Sequence, residues 1–308
     1  MNRDQQDRRA GFGFGVAAYL AWGVLPLYFK LLAAVPPIEI VANRIVWSLI
    51  FLGFLVTLWR RWPVVRATIG SGRILLILTL TAALIAANWL IYVWAVVRGH
   101  VLETSLGYYL NPLFNVLLGV ALLKERLSRA QVGAVLLAAA GVAALAWGAA
   151  SGLWISLSLA FSFGLYGFVR KIAPVDALEG LSVETALLAP PSLLYLLWAH
   201  GGAGGLAAFG TTLTILLVVG GAVTAIPLLL FNAAAKRLPY STLGFLQYIA
   251  PSLQFLLAVS VFGEPFTAAH ALCFGAIWSA LAIFAAEGVR LGRARAKAVS
   301  VEVLEPCP

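Results

Sequence analysis

Apolar residues occupy ten long runs along the chain, separated by short stretches that carry charged or turn-forming residues. The runs fall at 11–31, 38–59, 74–97, 102–123, 130–149, 152–169, 180–199, 212–235, 240–262 and 266–287. Most are about 20 residues long, and a helix of that length crosses the hydrocarbon core of a bilayer. The pattern therefore predicts an all-α integral membrane fold with ten transmembrane helices.

The basic residues lie in alternate connections between these runs. Eighteen of the 21 Lys and Arg residues fall in six segments, 1–10, 60–73, 124–129, 170–179, 236–239 and 288–308. The other connections hold only Lys30 and Arg98, and Arg44 alone lies within a run. Because basic loops stay in the cytoplasm during insertion, both termini are predicted to be cytoplasmic. This placement also accounts for the net charge of +9 without nucleic acid as a partner.

Composition agrees with a lipid bilayer as the solvent for most of the chain. The sequence is 62% hydrophobic and 11% charged, whereas soluble domains contain about 25% charged residues. Ten spans leave no room for a soluble catalytic domain. No HExxH, CxxC, GxSxG or phosphate-loop pattern is present in the sequence, so we expect no enzyme activity, no cofactor and no metal site.

The chain also repeats one of its own patterns. The segment Pro112–Glu125 is matched at equal spacing by Pro251–Glu264, and each is followed three residues later by Ser128 or Thr267. Ser and Thr are good helix N-caps, which is the structural role expected for these two residues.

The repeat predicts two halves, at 1–149 and 150–308, with five spans each. An odd number of spans makes the second half enter the membrane upside down. Inverted repeats of this kind are a transporter architecture, with the substrate site near the bilayer midplane between the halves.

Two charged residues fall inside the predicted spans at matching places in the two halves. Arg44 lies toward the outer end of the second span, and Glu184 toward the cytoplasmic end of the seventh. An intramembrane charge is costly unless it is paired or hydrated. Arg44 is either a substrate or gating residue or a structural one. Glu184 is either a proton-binding or a structural residue.

These depths predict that Arg44 and Glu184 do not pair with each other. The expected partners of Arg44 are Glu39 and Glu103, and those of Glu184 are Lys171, Lys236 and Arg237. Polar and aromatic residues within the spans are further candidates, because amides and phenols orient ligands in apolar pockets and equally join helices. They are Trp22, Asn88, Tyr92, Tyr108, Asn111, Asn115, Asn232, Gln247, Tyr248 and Gln254.

Several motifs resemble RarD-type proteins of the EamA branch of the drug/metabolite transporter superfamily. They are Ala18-Tyr19-Leu20-Ala21-Trp22-Gly23, Pro26-Leu27-Tyr28-Phe29-Lys30, Glu39-Ile40, Asn43-Arg44, Trp47-Ser48, Leu106-Gly107-Tyr108-Tyr109, Asn111-Pro112, Gly180-Leu181-Ser182 and Glu184-Thr185. The resemblance covers nearly the whole chain. It implies a ten-helix inverted-repeat carrier of small organic molecules in a bacterial inner membrane, with export as the expected direction.

The leading functional prediction is thus a secondary transporter that works by alternating access. A membrane-embedded lipid-modifying enzyme and a non-transporting receptor are the alternatives from other classes. The sequence leaves open the substrate, the direction, the coupling ion (protons are one option) and the oligomeric state.

Overall fold

The described part of the chain folds into helices joined by short turns. The computed structural model describes residues 3–123, 127–148, 150–199, 209–235, 237–238 and 246–304, and these contain no β-strand. The helices are α1 (Arg3–Leu31), α2 (Pro37–Leu58), α3 (Trp62–Gly70), α4 (Gly72–Arg98), α5 (Val101–Leu123), α6 (Arg129–Gly148), α7 (Leu153–Ile172), α8 (Ala177–Ala199), α9 (Thr211–Ala235), α10 (Ile249–Ser260) and α11 (Ala268–Leu304).

Each predicted apolar run contains one of these helices, and the short helix α3 is additional. It lies in the 60–73 connection and starts beside Pro63, which is favoured in the first turn of a helix because its missing N–H has no intrahelical acceptor there. Seven helices of the described residues are long and apolar enough to cross a membrane. Ten spans and their inverted relation stay a prediction.

Large apolar side chains point outward from these helices. Leu76 is 72% exposed and Leu194 is 68% exposed. Such side chains in water would form an unfavourable apolar surface, whereas lipid solvates them readily. The outward apolar surface therefore fits a membrane-embedded helical fold.

Side chains cap helix starts where the sequence predicted caps. Ser128 Oγ accepts a hydrogen bond from the Gln131 N–H at 3.3 Å, and Gln131 Oε1 accepts one from the Ser128 N–H at 2.9 Å. Thr267 Oγ1 likewise accepts from the His270 N–H at 3.4 Å. The backbone N–H groups in the first turn of a helix have no acceptor within the helix, and these side chains supply acceptors for some of them. The predicted capping role of Ser128 and Thr267 is therefore confirmed.

The helices form two compact units. The first contains Met1–Asn111 and Ile155–Glu264. Within it α1 packs against α9 and α10, while α2 packs against α4, α8 and α9. All candidate residues that bear on the site below belong to this unit.

The second unit contains Pro112–Trp154 and Pro265–Pro308. Helix α6 packs along α11, and the buried side chains include Leu145, Phe274 and Ile277.

Candidate functional site

Arg44 is buried in the first compact unit, between α2 and α9. Its side chain is 5% exposed, and its Nε donates a hydrogen bond to Thr224 Oγ1 at 2.8 Å. The Thr224 hydroxyl in turn donates to the Gly220 carbonyl one turn earlier, at 2.7 Å. Thr224 therefore presents its lone pairs to the guanidinium and ties α9 to the charge on α2.

Aromatic rings surround the rest of the Arg44 guanidinium. Its central carbon lies 5.2 Å from the centre of the Phe29 ring and 5.0 Å from that of Trp89. The phenols of Tyr28, Tyr92 and Tyr108 are within electrostatic reach. Cation–π contacts of this kind strengthen when water is excluded.

The expected partners of Arg44 are wrong. Glu103 lies 3.4 Å from His100 Nδ1 in the first turn of α5, and Glu39 is not among the groups that contact the guanidinium. The prediction considered only ionic partners, whereas the helix packing surrounds Arg44 with a hydroxyl and rings.

A pair of glycines brings α9 close to α2 beside this charge. A methyl group at Gly221 would lie 2.5 Å from the Trp47 carbonyl carbon. The Ser48 hydroxyl donates to the Gly221 carbonyl at 3.3 Å. Only a residue without a side chain allows this approach, so Gly221 sets the distance across which Arg44 reaches Thr224.

Glu184 lies at the centre of a second buried polar cluster, which joins α8 to α4 and α7. Thr81 donates a hydrogen bond to Oε1 at 2.6 Å, and the Tyr166 hydroxyl donates to Oε2 at 3.4 Å. Arg170 Nε lies 3.6 Å from Oε1. The carboxylate thus has a cation and two hydroxyl donors around it.

The partner of Glu184 is Arg170, which differs from the three basic residues expected. Helix α7 continues to Ile172, so Arg170 belongs to its last turns rather than to a loop. Gly180 leaves space for the Arg170 guanidinium beside α8. Arg237 is exposed and donates to the Ala233 carbonyl at 2.9 Å. The Lys171 side chain and Lys236 lie outside the described residues.

The two clusters are built in the same way. The charge on α2 bonds to a threonine of α9, and the charge on α8 bonds to a threonine of α4. In both clusters the second contact comes from the end of the preceding long helix, Phe29 of α1 or Arg170 of α7. In the described part of the chain, no ion pair joins Arg44 to Glu184.

Three of the remaining candidates adjoin the Arg44 cluster. The Asn88 amide donates to Ser162 Oγ at 2.9 Å and to the Leu159 carbonyl at 3.2 Å. Tyr108 donates to Asn88 Oδ1 at 3.4 Å, and its ring lies 5.6 Å from that of Tyr92. Asn88, Tyr92 and Tyr108 therefore form a continuous path from the guanidinium toward α7.

Several buried polar atoms in the first unit make no hydrogen bond with the described residues. They include Tyr92 Oη, both side-chain atoms of Asn111, and Gln254 Oε1. Gln254 faces Tyr92 without meeting hydrogen-bond geometry, and its amide donates to the Trp22 carbonyl at 3.2 Å. Unpaired buried polar groups are costly and call for an explanation.

The other candidates with described side chains lie elsewhere in the same unit. The Trp22 ring packs on Tyr19 and Phe231 as part of an apolar cluster. Tyr248 stacks on Tyr109 with ring centres 6.1 Å apart. Gln247 lies in the turn before α10 and is half-buried. The side chains of Asn115 and Asn232 lie outside the described residues.

Sequence reasoning missed Thr81, Thr224, Arg170 and Gly221. One signal was available for the threonines, since each is a polar residue inside an apolar run. No signal of this kind was available for the close approach at Gly221, because small residues are common throughout membrane helices.

Comparison with known proteins defines the class. Residues 9–147 match the EamA-like transporter family. An uncharacterized transporter of Vibrio cholerae serotype O1 is 46% identical over 299 residues, covering 97% of this chain and 99% of the relative. The chain therefore belongs to the EamA-like transporter family, and it is a multi-pass helical membrane protein.

Within this family the chain is similar to proteins called RarD. Protein RarD of Escherichia coli K12 is 43% identical and covers 96% of this chain and 100% of its own length. A solved crystal structure with 24% identity covers 89% of this chain and 96% of that chain, with a TM-score of 0.51. That likeness shows the fold.

Proposed function

We propose that this protein is a secondary carrier that exports a small organic solute across the bacterial inner membrane by alternating access. The observation that carries the proposal is the pair of buried polar clusters around Arg44 and Glu184, which are built alike from corresponding helices. In the predicted topology, with both termini cytoplasmic, the first cluster faces the outer half of the membrane and the second the cytoplasmic half.

Clusters arranged in this way suit the two gates of an inverted-repeat carrier. The Arg44 cluster joins α2 to α9, and the Glu184 cluster joins α8 to α4 and α7. When one set of contacts opens, the other holds its end of the pathway closed. In the predicted division into halves 1–149 and 150–308, each cluster joins one half to the other.

Two driving forces fit this arrangement. The sequence has no phosphate-binding loop, so direct use of ATP is not part of the proposal. A proton bound at Glu184 would release Arg170 and loosen the cytoplasmic cluster. Exchange of one solute for another needs no coupling ion.

The test begins with the solute. An untargeted metabolite comparison between a deletion strain and an overproducing strain should reveal a compound that accumulates in the medium only when the protein is present. That compound should then show counterflow in proteoliposomes that contain the purified protein. A pH gradient added to the same vesicles distinguishes proton coupling, in which it drives accumulation, from exchange, in which it does not.

The alternatives give other results. A lipid-modifying enzyme would change the lipid composition of the proteoliposomes over time. A receptor would bind the compound without counterflow. Membership of a transporter family favours the carrier over the enzyme.

A further inference from the structure

The two buried charges of the first unit differ in how they are neutralised. Glu184 has Arg170 beside it at 3.6 Å. Arg44 is just as deeply buried, yet its one hydrogen bond within the described residues goes to the neutral hydroxyl of Thr224. A cation in such surroundings is unfavourable without an anion. The site is therefore missing one negative charge.

The protein offers no acidic side chain for this role in the part that the structure describes. Eight acidic residues have described side chains, and the ion pairs they form do not include Arg44. The other four acidic residues fall in the predicted cytoplasmic segments, at the far face from Arg44. They are Asp4, Glu125, Glu302 and Glu305.

The guanidinium also keeps groups free to bind a ligand. Its Nε is used by Thr224, whereas Nη1 and Nη2 make no hydrogen bond with the described residues. Two N–H donors on one planar group match the two oxygens of a carboxylate or phosphate.

A hydroxyl that makes no hydrogen bond of normal geometry with the described residues lies near the same charge. It is the Tyr92 Oη, which is buried close enough to the Arg44 guanidinium to interact with it. Gln254 Oε1 faces the Tyr92 hydroxyl and, because it only accepts hydrogen bonds, is not a group that binds an anion. The rings of Phe29, Trp89 and Tyr92 supply apolar walls. An anionic head and an apolar body would satisfy both parts of this surface.

We propose that the Arg44 cluster binds the anionic head of the substrate, and that the substrate is an organic carboxylate or phosphate monoester with an aromatic or otherwise flat apolar body. The inference rests on the carrier function proposed above. It adds the charge and shape of the solute, which neither family membership nor the relatives' names specify.

The first experiment compares acids with their own amides on the wild-type protein in phosphatidylcholine nanodiscs. The probes are benzoate, 3-phenylpropionate and indole-3-acetate, the three corresponding amides, and phenyl phosphate. Binding is read by calorimetry and by the shift in unfolding temperature. At least one of these anions should bind about tenfold or more tightly than its neutral counterpart, the step expected for a hydrogen bond to a charged group. If no anion is favoured over its neutral counterpart, the proposal is wrong.

Matched variants then locate the effect. Arg44→Gln should weaken binding of the anion about tenfold or more and leave binding of the amide unchanged, and Arg44→Lys should lie between the two because it keeps the charge without the planar fork. Arg98→Gln removes an exposed cation from the same predicted outer side and should bind like wild type. Equal losses in Arg44→Gln and Arg98→Gln would overturn the assignment to Arg44. If Arg44→Gln does not fold, the comparison of acids with amides on the wild type still tests whether the protein prefers an anionic ligand.

Lipid is the other source of a phosphate group. The binding measurements are therefore repeated in phosphatidylglycerol nanodiscs. Binding that persists there supports a solute, and binding that is abolished there assigns the site to a lipid headgroup and overturns the substrate proposal. Failure of the carrier function looks different, since the anion would then bind through Arg44 without counterflow. Counterflow of an organic anion that is unchanged in Arg44→Gln would leave the carrier intact and refute this inference.

Discussion

Neutralising Glu184 should destabilise the fold mainly by leaving Arg170 without its counter-ion. Glu184→Gln keeps the size of the side chain and an oxygen that accepts the Thr81 hydrogen bond, so the substitution removes little besides charge. Arg170 then remains charged, because an arginine does not lose its proton in a protein. Its Nη1 already lacks a partner among the described residues.

The size of the loss follows from the geometry of the pair. The nitrogen and oxygen are 3.6 Å apart, and the exposed fractions of the side chains are 13% for Arg170 and 1% for Glu184. At an effective dielectric constant of about 20, unit charges at such a distance attract by about 4 kcal/mol. Removing one member of a buried pair costs about 3–5 kcal/mol. We expect about 3 kcal/mol for Glu184→Gln, since Arg170 is partly reached by solvent.

The opposite substitution should cost less. In Arg170→Gln the isolated carboxylate can take up a proton and become neutral, an option that the arginine lacks. The double variant should therefore be more stable than the sum of the two losses predicts, with a coupling energy of about 1–3 kcal/mol.

Reversible unfolding by dodecyl sulfate in mixed micelles measures the free energy of unfolding of the three variants. Arg66→Gln, which removes an exposed cation in α3, is the control and should change that free energy by no more than about 0.5 kcal/mol. If the losses of Glu184→Gln and Arg170→Gln add within about 0.5 kcal/mol, the two residues do not act as a pair and the reasoning fails.

Three further predictions concern topology, helix packing and a capping carboxylate. An alkaline phosphatase fused after Arg295 should be inactive, because the basic tail is predicted to be cytoplasmic; strong activity would reverse the topology. Gly221→Ala should lower both the unfolding temperature and transport, since the added methyl meets the Trp47 backbone at 2.5 Å, whereas Gly53→Ala on α2 meets nothing within 4 Å and should be tolerated. Equal behaviour of the two variants would contradict a close contact there. Burial raises the pKa of Glu264 in the α10–α11 turn above 4.5, although two backbone N–H groups bind its carboxylate. A raised folded-state pKa means that ionisation favours unfolding, so wild type should lose stability relative to Glu264→Gln as the pH rises above about 4, the ordinary pKa of a glutamate, and a relative gain would refute the sign.

Hydropathy and charge along the chain were enough to predict a helical membrane protein and to locate its helices. In the described part of the chain, each of the ten apolar runs contains a helix. Lipid offers no hydrogen-bond partners to the backbone, and a helix pairs the backbone N–H and C=O groups within a single segment. The same signals identified Arg44 and Glu184 as buried charges, since an ionisable residue interrupts an apolar run visibly. The division into halves at 149 and 150 is a prediction of the same kind, and it awaits a test.

Only the tertiary structure decided which groups surround those charges. Thr224 is 180 residues from Arg44 in the chain, and Thr81 is 103 residues from Glu184. The carboxylates predicted for Arg44 were wrong, and the cation found beside Glu184 is Arg170, which was not among the predicted partners. Several side chains have the right chemistry, and the packing of helices selects among them. Gly221 contributes to that selection by allowing α9 to approach α2. Local sequence encodes which segments enter the membrane, whereas the distances between helices, and hence the chemistry of the site, arise from contacts between residues far apart in the chain.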